Sequence, residues 1–208
     1  MNRRRLILTA AAATAAAPAA LAARPAPRLS IKTFAELKTP LPLPYDEGAD
    51  ASAIVDRARA QARRQGKRLL IDLGGNWCPD CRILAGTMAL PELDRFMKAH
   101  FVTVMVDVGR FDRNLQIPAR YGITGRLPGV PALLVIDPRT DKLLNPGNFS
   151  ALSNARGMSP QALSDWIAGW AAYGALPSDG LPDEEGQALG PISEVMLRSD
   201  NRSPLVGT

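Results

Sequence analysis

Polar and apolar positions settle into a helical rhythm after Asp50, where Ile54, Val55, Ala58 and Ala62 recur on one face of Ala51–Arg64. Asp50 is suited to cap that helix, Gly66 to stop it, and the opposite face is rich in arginine. Residues 69–73 then form a short apolar run interrupted only by Asp72 and closed by Gly74 and Gly75, the pattern of a buried strand. Residues 82–88 continue as a helix, Pro91 opens another over residues 92–99, and residues 101–106 are dominated by β-branched and aromatic side chains, a strand signal. Strand, helix, strand at this spacing predicts parallel pairing with a right-handed crossover. A loop and short helix follow over residues 109–121. Residues 132–136 and 142–144 flank the turn-rich Asp137-Pro138-Arg139-Thr140-Asp141, which predicts a β-hairpin. Ser159 or Pro160 starts a last helix to about Tyr173, with Leu163, Trp166, Ile167 and Trp170 on one face; these tryptophans read as core filler.

The ends of the chain differ in character. Residues 1–22 have a positive start, Arg3-Arg4-Arg5, an alanine-rich apolar run and a small-x-small cleavage pattern at Ala20-Leu21-Ala22, which together predict a signal peptide. The paired arginines also fit a twin-arginine signal, with Asn2 and Leu8 departing from its fuller pattern. A periplasmic or secreted location is therefore expected, the alternative being an uncleaved N-terminal anchor that Pro18 interrupts. Residues 23–49 are rich in proline (Pro25, Pro27, Pro40, Pro42, Pro44) and predict an extended leader that packs on the surface or stays mobile, with no function attached. Residues 174–208 carry nine Gly or Pro and six acids against two arginines, the composition of a poorly packed tail. The formal charge of +5 shrinks once Arg3, Arg4 and Arg5 are set aside, and no basic stripe with interleaved aromatics exists, so a nucleic-acid partner is not expected.

Two cysteines at three-residue spacing carry the candidate chemistry. A disulfide scaffold ordinarily has four or more cysteines closing longer loops, and a loop as small as Cys78–Cys81 stabilises little. Zinc needs about four ligands, whereas the chain offers these two cysteines and one histidine, His100, at a strand start where a structural role suffices; no metal is expected. Reactivity explains the pair better. A thiol attacks as thiolate, and a strand followed by a glycine turn puts Cys78 where a helix begins, so unpaired backbone N–H groups and the helix dipole favour its negative charge. Pro79 suits the first helical turn, and Cys81 lies one turn on, placed to resolve a mixed disulfide. Asp72 interrupts an apolar strand. Buried, it would have a raised pKa and serve as a proton acceptor; at the strand end it could instead point to water.

Three features in order resemble the thioredoxin superfamily: Trp77-Cys78-Pro79-Asp80-Cys81 at a strand-to-helix turn, Asp72 six residues earlier, and residues 118–125 followed by Val130-Pro131-Ala132 and an apolar strand. The resemblance covers about residues 50–173. It implies an α/β fold, a three-layer α/β/α sandwich with a central mixed sheet, and a cis bond at Val130–Pro131 beside the cysteines. Roles carried by the resemblance are attack by Cys78, resolution by Cys81, proton transfer through Asp72, and a substrate groove lined by Trp77, Pro79, Asp80, Val130 and Pro131. Protein or peptide disulfides are then the substrates, with a membrane-embedded or thioredoxin-like electron donor, no cofactor, and a monomer as the expected state. Residues 107–118 and 126–129 look like insertions that border the groove. Asp80 replaces the proline or histidine of better-known relatives, and its charge near Cys78 disfavours the thiolate, which leans towards a reductase or isomerase rather than a disulfide donor. A thioredoxin-fold binding module is the alternative outside enzymology.

Overall fold

A computed structural model describes residues 25–171; the expected signal peptide and acidic tail lie outside the described residues. Helix α1 (Ala51–Arg64) begins where the Asp50 carboxylate accepts the Ala53 N–H at 3.0 Å. Strand β1 (Arg68–Gly74) is buried along its whole length. Helices α2 (Pro79–Met88) and α3 (Pro91–His100), each with proline in the first turn, lead to strand β2 (Phe101–Asp107). A one-turn helix α4 (Gln116–Ala119), the hairpin strands β3 (Ala132–Asp137) and β4 (Lys142–Leu143), and helix α5 (Pro160–Ala171) complete the order.

The sheet runs β2-β1-β3-β4 and is mixed: β1 pairs parallel with β2 and antiparallel with β3, which pairs antiparallel with β4. Because side chains alternate along a strand, the two faces of β1 feed two cores. Leu69, Ile71 and Leu73 pack with Val55, Ala58 and Ala62 of α1. Leu70 packs on the other face with Leu84 and Met88 of α2, Leu93 and Met97 of α3, and Leu163 and Ile167 of α5. This is the α/β/α layering expected, and β1 reads as an apolar run broken only by Asp72 because helices cover both its faces. Trp166 and Trp170 flank the second core edge to face, 6.0 Å apart.

The leader packs against the domain. Hydrogen bonds fasten it along the second helical layer: Gln161 Nε2 and Ser164 Oγ both donate to the Pro27 carbonyl, the Ser30 N–H donates to Glu92, and the Arg82 guanidinium donates to the Leu41 and Pro42 carbonyls. Leu37 and Tyr45 are buried. Prolines cannot donate to a sheet ladder, so leader carbonyls and a few backbone N–H groups make the contacts with side chains of the domain. The segment ends on the cysteine turn.

Candidate active site

Strand β1 delivers the chain to a turn, Gly75-Asn76-Trp77, where the Cys78 N–H donates to the Gly75 carbonyl at 3.0 Å. Cys78 then caps α2. Its backbone is extended, and its Sγ accepts the Cys81 N–H at 3.2 Å, so the sulfur takes one of the orphan donors of the helix start. Both cysteines are free thiols, Cys81 wholly buried and Cys78 nearly so. Their acidities diverge. The Cys81 thiol donates to Cys78 Sγ and, with the backbone N–H groups of Cys81 and Asp80, lowers the Cys78 pKa to about 7 against the opposing effects of burial and the Asp80 charge. The same hydrogen bond, together with burial, pushes the Cys81 thiol strongly up. Near neutral pH the outer sulfur gives up its proton far more readily than the inner one.

Beneath the pair, Asp72 is fully buried, as one of the two sequence expectations had it. Loss of water raises its pKa to about 7, the Cys78 charge adds to that rise, and a hydrogen bond from Tyr45 works against it. The Tyr45 hydroxyl donates to Asp72 Oδ1 at 3.0 Å, while Oδ2 has no partner among the described residues. Tyr45 is held from behind by the side chain of Asn76, which accepts its N–H at 3.1 Å and donates to its carbonyl at 2.8 Å. Gly74 makes room: a Cβ there would run into the Tyr45 hydroxyl and stand 2.9 Å from Cys81 Sγ. Neither Tyr45 nor Asn76 was legible as a site residue. The only hint was an aromatic directly after the alternating prolines Pro40, Pro42 and Pro44.

Above the pair lie the residues expected to line a substrate groove. The Val130–Pro131 bond is cis, and in the thiol form Cys78 donates to the Val130 carbonyl at 3.4 Å. A second cis bond, Thr39–Pro40, lies in the leader. Trp77 is 38% exposed, and its indole N–H donates to the Gly109 carbonyl at 2.7 Å. Phe111 meets the indole edge to face at 5.9 Å, Arg110 covers the indole at 4.4 Å, and Arg126 covers Phe111 at 4.1 Å. The segments 107–118 and 126–129 thus reach the rim of the cysteine site through one stack of side chains. Asp107 anchors the first of them, accepting the Gly109 N–H and pairing with Arg113 at 3.4 Å. Phe111 sits at φ 72°, a strained value for a bulky residue.

Pro79 is exposed on the first turn of α2. The buried Asp80 carboxylate pairs with the exposed Arg156, Nη2 to Oδ2 at 3.1 Å, and accepts the Arg156 backbone N–H on Oδ1 at 2.9 Å. Its charge near Cys78 is therefore partly answered by a guanidinium. His100 closes α3 against the Phe96 ring at 4.5 Å. Among the described residues no cluster of three His, Cys, Asp or Glu could hold a metal ion. A groove of about 600 Å³ between Pro42, Pro44, Met88 and β2 shares no residue with the cysteine site.

Residues 50–138 match the thioredoxin-like family. A disulphide isomerase from Xylella fastidiosa is 39% identical, over 62% of this chain and 96% of that one, with a TM-score of 0.56. A Pseudomonas aeruginosa protein of unknown function is 20% identical, over 61% of this chain and 85% of that one, with a TM-score of 0.33. No curated protein matches.

Proposed function

Since the chain belongs to the thioredoxin superfamily, we propose that it reduces or isomerises disulfides of exported proteins or peptides, with Cys78 as nucleophile and Cys81 as resolving thiol. The observation that carries this reading is the unequal hold on protons within the pair. Cys78 thiolate attacks one sulfur of the substrate disulfide; a Cys78–substrate bond forms, the substrate bond breaks, and the other substrate sulfur leaves as thiolate. Cys81 then attacks Cys78 Sγ, the Cys78–Cys81 bond forms, and the second substrate sulfur leaves. Two electrons pass from the pair to the substrate.

Support for the direction comes from acidity. A Cys78 pKa of about 7 lies with reducing members of this chemistry, whose nucleophile titrates near ~7, and far from strong oxidants near ~3.5. The similar Xylella protein is a disulphide isomerase. Export rests on the signal-like residues 1–22, and the oxidised pair would be returned to dithiol by a membrane-embedded or thioredoxin-like donor. Arg110 and Arg126 have no ion pair among the described residues and stack on the rings at the groove rim, which favours substrates with acidic residues beside the disulfide.

Trapping tests the reading. Incubated with a peptide disulfide, Cys81→Ser should accumulate a mixed disulfide at Cys78, visible by mass spectrometry, and Cys78→Ser should accumulate none. No adduct with Cys81→Ser would refute the assigned roles.

A further inference from the structure

Resolution requires Cys81, a thiol with strongly raised pKa in a dry interior, to lose its proton as it attacks. Asp72 is the nearby acceptor, yet its only hydrogen bond among the described residues is to the Tyr45 hydroxyl, and its other oxygen has none. The same hydroxyl and the Cys81 sulfur lie on either side of the one point where a Gly74 Cβ would stand. Gly74, lacking a Cβ, is what lets the hydroxyl and the Cys81 sulfur share this space. Asn76 clamps the Tyr45 backbone on both its N–H and its carbonyl, one residue before Trp77, so the leader is registered on the cysteine turn itself. The titratable groups around this point are Cys78 and Cys81 from α2, Asp72 from β1 and Tyr45 from the leader; Asp107, at the end of β2, is paired with Arg113.

Resting on the reading of Cys78 as nucleophile and Cys81 as resolving thiol, we propose that the Tyr45 hydroxyl relays the Cys81 proton to Asp72 during resolution. As Cys81 Sγ bonds to Cys78 Sγ and the substrate sulfur leaves with the electron pair of the broken bond, the Cys81 proton passes to Tyr45 Oη. The phenolic proton passes at the same time to Asp72 Oδ1. Tyrosine ends neutral, Asp72 ends as the carboxylic acid, and no phenolate forms, which a buried tyrosine with a raised pKa would resist. The leader, a segment outside the matched family region, thereby supplies a group that touches a reacting sulfur.

The full chain with Tyr45→Phe keeps the ring and removes only the relay oxygen. Stopped-flow release of substrate thiol from the Cys78 mixed disulfide should slow by about 10- to 100-fold at pH 7, within the range general acid–base groups supply. The loss should shrink as pH rises and hydroxide takes the proton instead, while the first attack by Cys78 changes less than about two-fold. Asp72→Asn should slow the same step, and the double variant should be no slower than Asp72→Asn alone, since both lie on one path. Should Tyr45→Phe fail to fold, a solvent deuterium inventory of resolution in the unaltered chain decides, a curved plot for two protons in flight being expected. Resolution at the unaltered rate in Tyr45→Phe, an equal loss in attack and resolution, or a linear inventory would each overturn the relay. Absence of any Cys78 adduct in the unaltered chain would instead bring down the underlying reading, so the two failures are distinguishable.

Discussion

The surroundings of Cys78 and Cys81 differ sharply although one helical turn separates them. Around Cys78 are the backbone N–H groups of the α2 start, which donate to its sulfur, the Val130 carbonyl, which accepts from its thiol, and partly exposed Trp77 with Phe111 and two guanidiniums stacked beside it. Below Cys81 is a dry region with a single polar thread, Tyr45 to Asp72, enclosed by β1 and the leader. Donors stabilise charge and low dielectric opposes it, so one proton shared between two sulfurs resides on the inner one. The unequal acidity is a property of the two environments, not of the cysteines.

Removing one member of the pair breaks the contrast outright. Cys78→Ser should abolish turnover of a peptide disulfide, and Cys81→Ser should hold the reaction at the covalent adduct, both read by thiol release and intact mass. Next in size is the burden carried by the lower region. Asp72 binds its proton up to about pH 7 in the folded state but only to its ordinary 3.8 when unfolded. Between those values the folded chain holds the extra proton, so stability falls as pH rises through that window. Asp72→Asn should be immune, becoming more stable than the unaltered chain by up to roughly 4 kcal/mol at pH 8, at 1.36 kcal/mol per pKa unit, with no gain below about pH 4. Denaturant unfolding at both pH values checks it. Gly74→Ala, which drives a methyl into Tyr45 and towards Cys81, should cost about 1–3 kcal/mol by overpacking and slow resolution more than attack. The smallest change belongs to the upper region. Because the Asp80 charge opposes the Cys78 thiolate, Asp80→Asn should lower the alkylation midpoint of Cys78 below about 7, and Arg156→Ala should raise it, as read by iodoacetamide rate against pH.

Much of this was legible in the sequence because it is written in local pattern. The β1 and β2 runs, the helical face of α1, the proline starts of α2 and α3 and the turn before β4 lie within a residue or two of their expected bounds. The cysteine turn and Asp72 stood out because a polar residue in an apolar strand and a three-residue cysteine spacing are local signals. Tyr45, Asn76 and Gly74 did not, since their importance arises from contacts across the fold: Tyr45 meets Asp72 from 27 residues away. The pairing of Asp80 with Arg156 was hidden for the same reason, Arg156 lying 76 residues on. The cation–aromatic stack at the rim likewise joins segments that periodicity cannot bring together.

Equilibrating the full chain with glutathione buffers and quantifying the Cys78–Cys81 disulfide tests the proposed chemistry most directly, with Cys78→Ser as the control. A reversible two-electron couple is expected, with a potential in the reducing to isomerising range of about −270 to −180 mV. A potential near about −120 mV would reverse the direction of electron flow. A pair that never forms a reversible disulfide would contradict redox catalysis at this site altogether.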